Sequence, residues 1–197
     1  MRTLRMALVA LVATCAAGCA SLTVGSGSTT GESSSASPQT RSGVLAAVHD
    51  PGQVTGTVPA TCHVRPGPEP DPQCTPGAID PAVTQQNIST TICRSGYTAK
   101  VRPSTGQTNK AKAALYKSYG IPSGDVSELD HLVSLELGGA NDIKNLWPEV
   151  GSLPNPKDKV ENDLHRAVCS GKVTLSAAQQ AIATDWMTAE KVLGLTS

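Results

Sequence analysis

Asp130 and His131 are adjacent in the stretch from Glu128 to Glu149, ELDHLVSLELGGANDIKNLWPE. A carboxylate offers a hard oxygen to a divalent cation, and an imidazole that titrates near neutrality can take up a proton. Asn145 follows on the far side of a Gly138-Gly139 pair, and the later run NPKDKVENDLHRAVC carries Glu161, Asn162 and His165. Glu161 and His165 are spaced i, i+4, which puts them on one face of a helix. Taken singly, each of these residues has a plain structural reading. A histidine on an apolar strand face is commonly a core residue, Asp130 a strand-edge carboxylate, and Asn162 and His165 surface residues. The elements that position them therefore decide the matter.

Leu129 to Leu137 reads as a strand, with Leu129, Val133, Leu135 and Leu137 on one face by period-two alternation. Gly138 to Asp142 supplies turn residues, and Ile143 to Trp147 forms the return strand. In an ideal strand Asp130 and His131 point to opposite faces, so one shared site requires an irregularity such as a bulge. Asn155 is a helix N-cap, Pro156 suits the first helical position, and Asp158 favours the positive end of the dipole. Val160, Leu164, Ala167 and Val168 form the apolar stripe of that helix. A last helix is expected from Ser176, with Gln179 completing a capping box. Its buried face is Ile182, Trp186, Ala189 and Leu193, and Gly194 ends it. Upstream, SGYTAKVRP alternates as a strand ending at Pro103. Thr105 to Tyr119 reads as a helix stopped by Gly120.

The whole chain has 197 residues. Residues 1–19 have two early arginines, a short apolar run and small residues before Cys19, the pattern of an export leader. Ala16-Ala17-Gly18 before Cys19 resembles a lipidation site, so the chain is expected to be a cell-surface lipoprotein or a secreted protein. Its only membrane contact would be a lipid at Cys19. Residues 20–57 are rich in Ser, Thr and Gly and read as a disordered tether. Residues 58–197 are expected to form a single folded domain, as a monomer. Cys62, Cys74, Cys93 and Cys169 remain beyond the leader, an even count that reads as disulfides in an exported chain. Of three pairings, Cys62–Cys74 with Cys93–Cys169 is favoured. No C-x-x-C spacing supports a structural zinc site. There is no phenylalanine, so the core must rest on Val, Leu, Ile, Ala and two tryptophans, and staples gain value. Formal net charge is zero. From Arg94 to Lys117, however, Arg94, Lys100, Arg102, Lys110, Lys112 and Lys117 occur with no acid among them, a block able to hold phosphates.

The order of an Asp-His strand, a Gly-Gly turn, Asn145-Leu146 on the return and a polar helix face resembles the HNH, or ββα-metal, nuclease superfamily over Glu128 to about Val168. The resemblance implies an α+β fold with a ββα-metal hairpin–helix core, flanking helices and two disulfides. It implies an endonuclease that hydrolyses DNA or RNA phosphodiesters with low sequence specificity. His131 would be the general base, Asn145 a supporting residue that stabilises the hairpin or orients His131, and Asp130 a metal ligand. A helix ligand would complete the metal site, ranked Asn162, then His165, then Glu161. Oxygen ligands suit Mg²⁺ or Mn²⁺, whereas His165 would tilt the site towards Zn²⁺ or Ni²⁺. Lys100, Arg102, Lys110 and Lys112 would contact the nucleic acid. Two features depart from the pattern: Ser134 stands where proline is frequent, and the second motif histidine is replaced or displaced. A binding module that keeps the frame without catalysis is the alternative. A peptidase is poorly supported, because neither G-x-S-x-G nor H-E-x-x-H occurs.

Overall fold

A computed structural model describes residues 45–122 and 124–196. The leader, Cys19 and most of the expected tether lie outside the described residues. The fold is α+β. Strands β1 (Ala46–Ala47) and β2 (Ala78–Ile79) form a short parallel pair. Strands β3 (Ser127–His131) and β4 (Leu146–Val150) form an antiparallel one. The helices are α1 (Tyr97–Val101), α2 (Thr105–Ser118), α3 (Pro156–Cys169), α4 (Leu175–Thr184) and α5 (Ala189–Val192). A hairpin followed by a helix is therefore present at the expected place, from Ser127 to Cys169.

The fold reaches further upstream than residue 58. Leu45 and Asp50 are buried, β1 pairs with β2, and Ile143 donates its amide to the Thr55 carbonyl. Residues 45–57, expected as tether, are thus part of the domain. Their backbone finds partners in loops distant in sequence, which composition does not reveal.

The hairpin is shorter than its apolar pattern. β3 ends at His131, and Leu135–Leu137 is a 3-10 turn that runs into Gly138 at φ 72°. The buried Asn145 side chain causes this. Its Oδ1 accepts from the Val133 amide at 2.9 Å, and its Nδ2 donates to the Val133 carbonyl at 2.9 Å and the Ala140 carbonyl at 2.8 Å. A side chain takes the place of a strand neighbour, so the backbone of Val133 is satisfied without a ladder. Gly139 permits this closeness: a Cβ there would lie 1.8 Å from the Val133 carbonyl oxygen.

The expected strand before Pro103 is a helix. Gly96, at φ 81°, reverses the chain, and α1 runs until Arg102 turns extended ahead of Pro103. α2 and α3 appear where their patterns place them, and the Asn155-Pro156 start of α3 holds. The Asn155 side chain, however, donates to the Glu128 carboxylate instead of capping, since a charged acceptor lies within reach. The last helix begins at Leu175, because the Thr174 hydroxyl accepts from the Ala177 amide. Gln179 makes no capping box; it is buried and donates to the Leu137 carbonyl. The helix stops at an extended Asp185 and resumes as α5, while Ile182, Trp186 and Ala189 stay buried.

Two apolar clusters fill the fold. One joins α3 and α4 through Val160, Leu164, Val168 and Ile182 to Val133 and Leu137. The other packs Leu115 of α2 and Tyr119, which caps that helix, on Leu132, Leu146 and Trp147. Both disulfides form as favoured: Cys62–Cys74 lies within the second cluster, and Cys93–Cys169 ties the segment before α1 to the end of α3.

Candidate active site

His131 closes β3 and is 7% exposed. Its Nε2 lies 3.0 Å from Asn141 Oδ1. Asn141 Nδ2 donates to the carbonyls of Asp50 at 3.0 Å and Val101 at 2.9 Å, so Oδ1 is the acceptor end of the amide. Nε2 of His131 must then carry the proton, and Nδ1 is the bare nitrogen. Nδ1 has no hydrogen-bond partner among the described residues. Burial pushes the imidazole down to about 4, against the opposing pull of the Asp130 charge and the Asn141 bond, with Arg102 and Lys157 adding to the fall. The ring is neutral at physiological pH, with one lone pair to offer.

Asn141 is itself held firmly. Its backbone N–H donates to Asp50 Oδ1 at 2.8 Å, and Asp50 Oδ2 accepts from the Thr55 hydroxyl at 2.8 Å. The segment around Asp50 therefore orients the imidazole through Asn141. Of the two roles expected for Asn145, it performs hairpin support, and Asn141 orients the ring.

β3 and β4 pair regularly through Asp130↔Trp147 and His131↔Leu146. Without a bulge, adjacent side chains leave opposite faces, and Asp130 and His131 take different partners. Asp130 Oδ2 accepts from Lys157 Nζ at 2.7 Å. The same ammonium donates to the His131 carbonyl at 2.8 Å and to the Glu161 carboxylate one turn along α3. Lys157 is fully buried, at 0% exposure. Glu149 lies beside this group, and burial together with the Asp130 charge pushes its carboxyl up to about 9. Glu149 pairs across the ladder with Glu128. Two like charges there would repel, and a protonated Glu149 removes the conflict.

The helix ligands ranked first and second do not reach Asp130. Asn162 is exposed, and its Nδ2 donates to the Asp158 carbonyl of its own helix at 2.7 Å. His165 Nε2 bonds the Ile92 carbonyl at 2.9 Å, and Nδ1 lies 3.9 Å from Glu136. Asp130, Asn162 and His165 thus form no common site; only Glu161 faces Asp130, through Lys157. The ligand atoms of Cys93, His165 and Cys169 lie within 4.8 Å of one another, but the two sulfurs are joined in a disulfide and offer no thiolate.

Among the basic residues, Arg102 is exposed and its charge bears on His131. Lys100 is exposed in the last turn of α1. Lys110 borders a groove with Val54, Gly56 and Gln107, and the Lys112 ammonium sits 5.0 Å from the Tyr116 ring centre. Lys157, Glu149 and Asn141 are the residues that pattern reading missed. One signal was available: a lysine in the first turn opposes the helix dipole, so Lys157 needs a specific anion nearby.

No protein-family model, no curated protein and no solved structure matches this chain. Among the described residues no helix is long and apolar enough to cross a membrane.

Proposed function

We propose that this chain is an exported nuclease of the HNH type, hydrolysing phosphodiesters of DNA or RNA with little sequence preference. The observation that carries the reading is His131: an imidazole fixed in one tautomer, Nδ1 bare, within the field of the exposed Arg102. Nδ1 takes the proton of a water that attacks phosphorus, the P–O bond to the sugar oxygen breaks and that oxygen takes a proton from solvent, while Arg102 with Lys100 steadies the phosphate oxygens. Phosphate contacts give affinity without reading sequence. Two disulfides suit a chain that matures outside the cytoplasm, which supports export. The hairpin–helix order supports a ββα core.

The divalent metal that the resemblance implies does not fit the residues present. Asp130 is bonded to Lys157, and Asn162 and His165 point elsewhere. The same observation, with the burial of His131, favours a second reading: a surface binding module that keeps the frame without catalysis.

The deciding experiment incubates the oxidised full chain with supercoiled plasmid and with single-stranded RNA, in EDTA and in Mg²⁺, Mn²⁺ or Zn²⁺, beside His131→Ala. Cleavage that vanishes in a folded His131→Ala is the expected result. A folded wild type that cuts neither substrate in any condition refutes the nuclease and leaves the binding module.

A further inference from the structure

The three acceptors around Lys157 Nζ are two carboxylates and a backbone carbonyl, those of Asp130, Glu161 and His131. Such a set of hard oxygens is what a divalent cation selects. An ammonium has three N–H donors, and here each has an acceptor. The group is fully buried, so no donor is left over for a substrate. The strand contributes one acid, the helix contributes the second, and the lysine starts from the same helix one turn earlier. Removing its charge would leave the largely buried Asp130 and Glu161 carboxylates, 18% and 15% exposed, facing each other without a counter-charge, an arrangement that costs stability unless another cation or a proton enters.

We infer that Lys157 is a built-in cation that holds the place a divalent metal would take between Asp130 and Glu161, so this site takes up no metal ion from solution. Burial disfavours the ammonium, yet Asp130 and Glu161 outweigh it and keep Lys157 charged. The consequence for catalysis rests on the nuclease reading: His131 then works without a metal at Asp130.

The test uses the oxidised full chain and MnCl2 alone as probe. In the wild type, the buried Lys157 ammonium gives a slowly exchanging ¹H–¹⁵N cross-peak that persists unbroadened as Mn²⁺ is added, and the melting temperature stays put. In Lys157→Ala, Mn²⁺ raises the melting temperature, and the added change Asp130→Asn abolishes that gain. Broadening of the wild-type cross-peak by stoichiometric Mn²⁺, lost in Asp130→Asn, overturns the inference. So does a folded Lys157→Ala whose melt ignores Mn²⁺. Where Lys157→Ala does not fold, the wild-type cross-peak alone decides. Cleavage lost in EDTA and restored by Mg²⁺, together with that Asp130-dependent broadening, sinks this inference and spares the nuclease. Complete absence of cleavage sinks the nuclease and leaves the Mn²⁺ readouts standing.

Discussion

Acid should loosen this fold through His131. The ring titrates at about 4 in the fold against an ordinary value of 6.5. Between those values the unfolded chain binds a proton that the folded chain refuses, so stability rises with pH there. The contribution is whole above the unfolded value and is lost as pH falls towards the folded one. Each pKa unit is worth about 1.4 kcal/mol, so the loss by roughly pH 4 is about 3 kcal/mol. The charges that face the ring are Asp130 on its own strand, Arg102 after α1 and Lys157 on α3. Asp50, raised by burial, titrates in the opposite sense, gaining stability as pH falls. Comparison with His131→Gln cancels it, because both proteins keep Asp50. Urea unfolding of the two proteins from neutral to acid pH gives the difference directly. The expected result is a wild type that falls relative to His131→Gln, with ¹⁵N shifts showing a neutral Nε2–H ring. A difference that stays flat, or a His131 that titrates at its ordinary value, refutes the reasoning.

Gly139→Ala should cost more than about 3 kcal/mol in thermal unfolding, because its Cβ meets the backbone of Val133 at 1.8 Å; a near-normal melt would show that the loop can move. The disulfides should differ in worth. Replacing Cys93 and Cys169 by Ala opens a loop of separation 76 and should cost about 4.5 kcal/mol, against about 3 for Cys62 and Cys74 at separation 12, as denaturant midpoints will report. Equal losses would contradict the loop argument. Arg102→Ala should leave the melting temperature within about a degree or two, as for an exposed side chain, while weakening binding to a phosphodiester oligonucleotide and lowering its salt slope by about one. Unchanged binding would remove Arg102 from the site.

Periodicity in this sequence located helices well where an apolar stripe coincided with a start signal. Asn155-Pro156 with Val160, Leu164 and Val168 fixed α3, and Gly120 marked the end of the segment containing α2. The same reasoning overextended the first hairpin strand. Leu135 and Leu137 are buried as alternation suggests, but they are buried from a 3-10 turn. Alternation reports which side chains leave water, and several backbone paths can satisfy it. The stretch before Pro103 failed for a related reason: five helical residues are too few to show a period, and Gly96 set the direction.

Residue type and spacing alone pointed to a histidine beside a carboxylate, an asparagine beyond a Gly-Gly turn, and four cysteines suited to two staples. Those features follow from chemistry that each residue carries wherever it sits. Which atoms meet was decided only in the folded chain. Asp50 comes to Asn141 across a long sequence separation, and Asn141 then fixes the His131 tautomer. Lys157 comes to Asp130 because α3 returns over the hairpin. A hydrogen bond depends on distance and direction at the scale of a few tenths of an ångström, and only the packing of elements remote in sequence sets those.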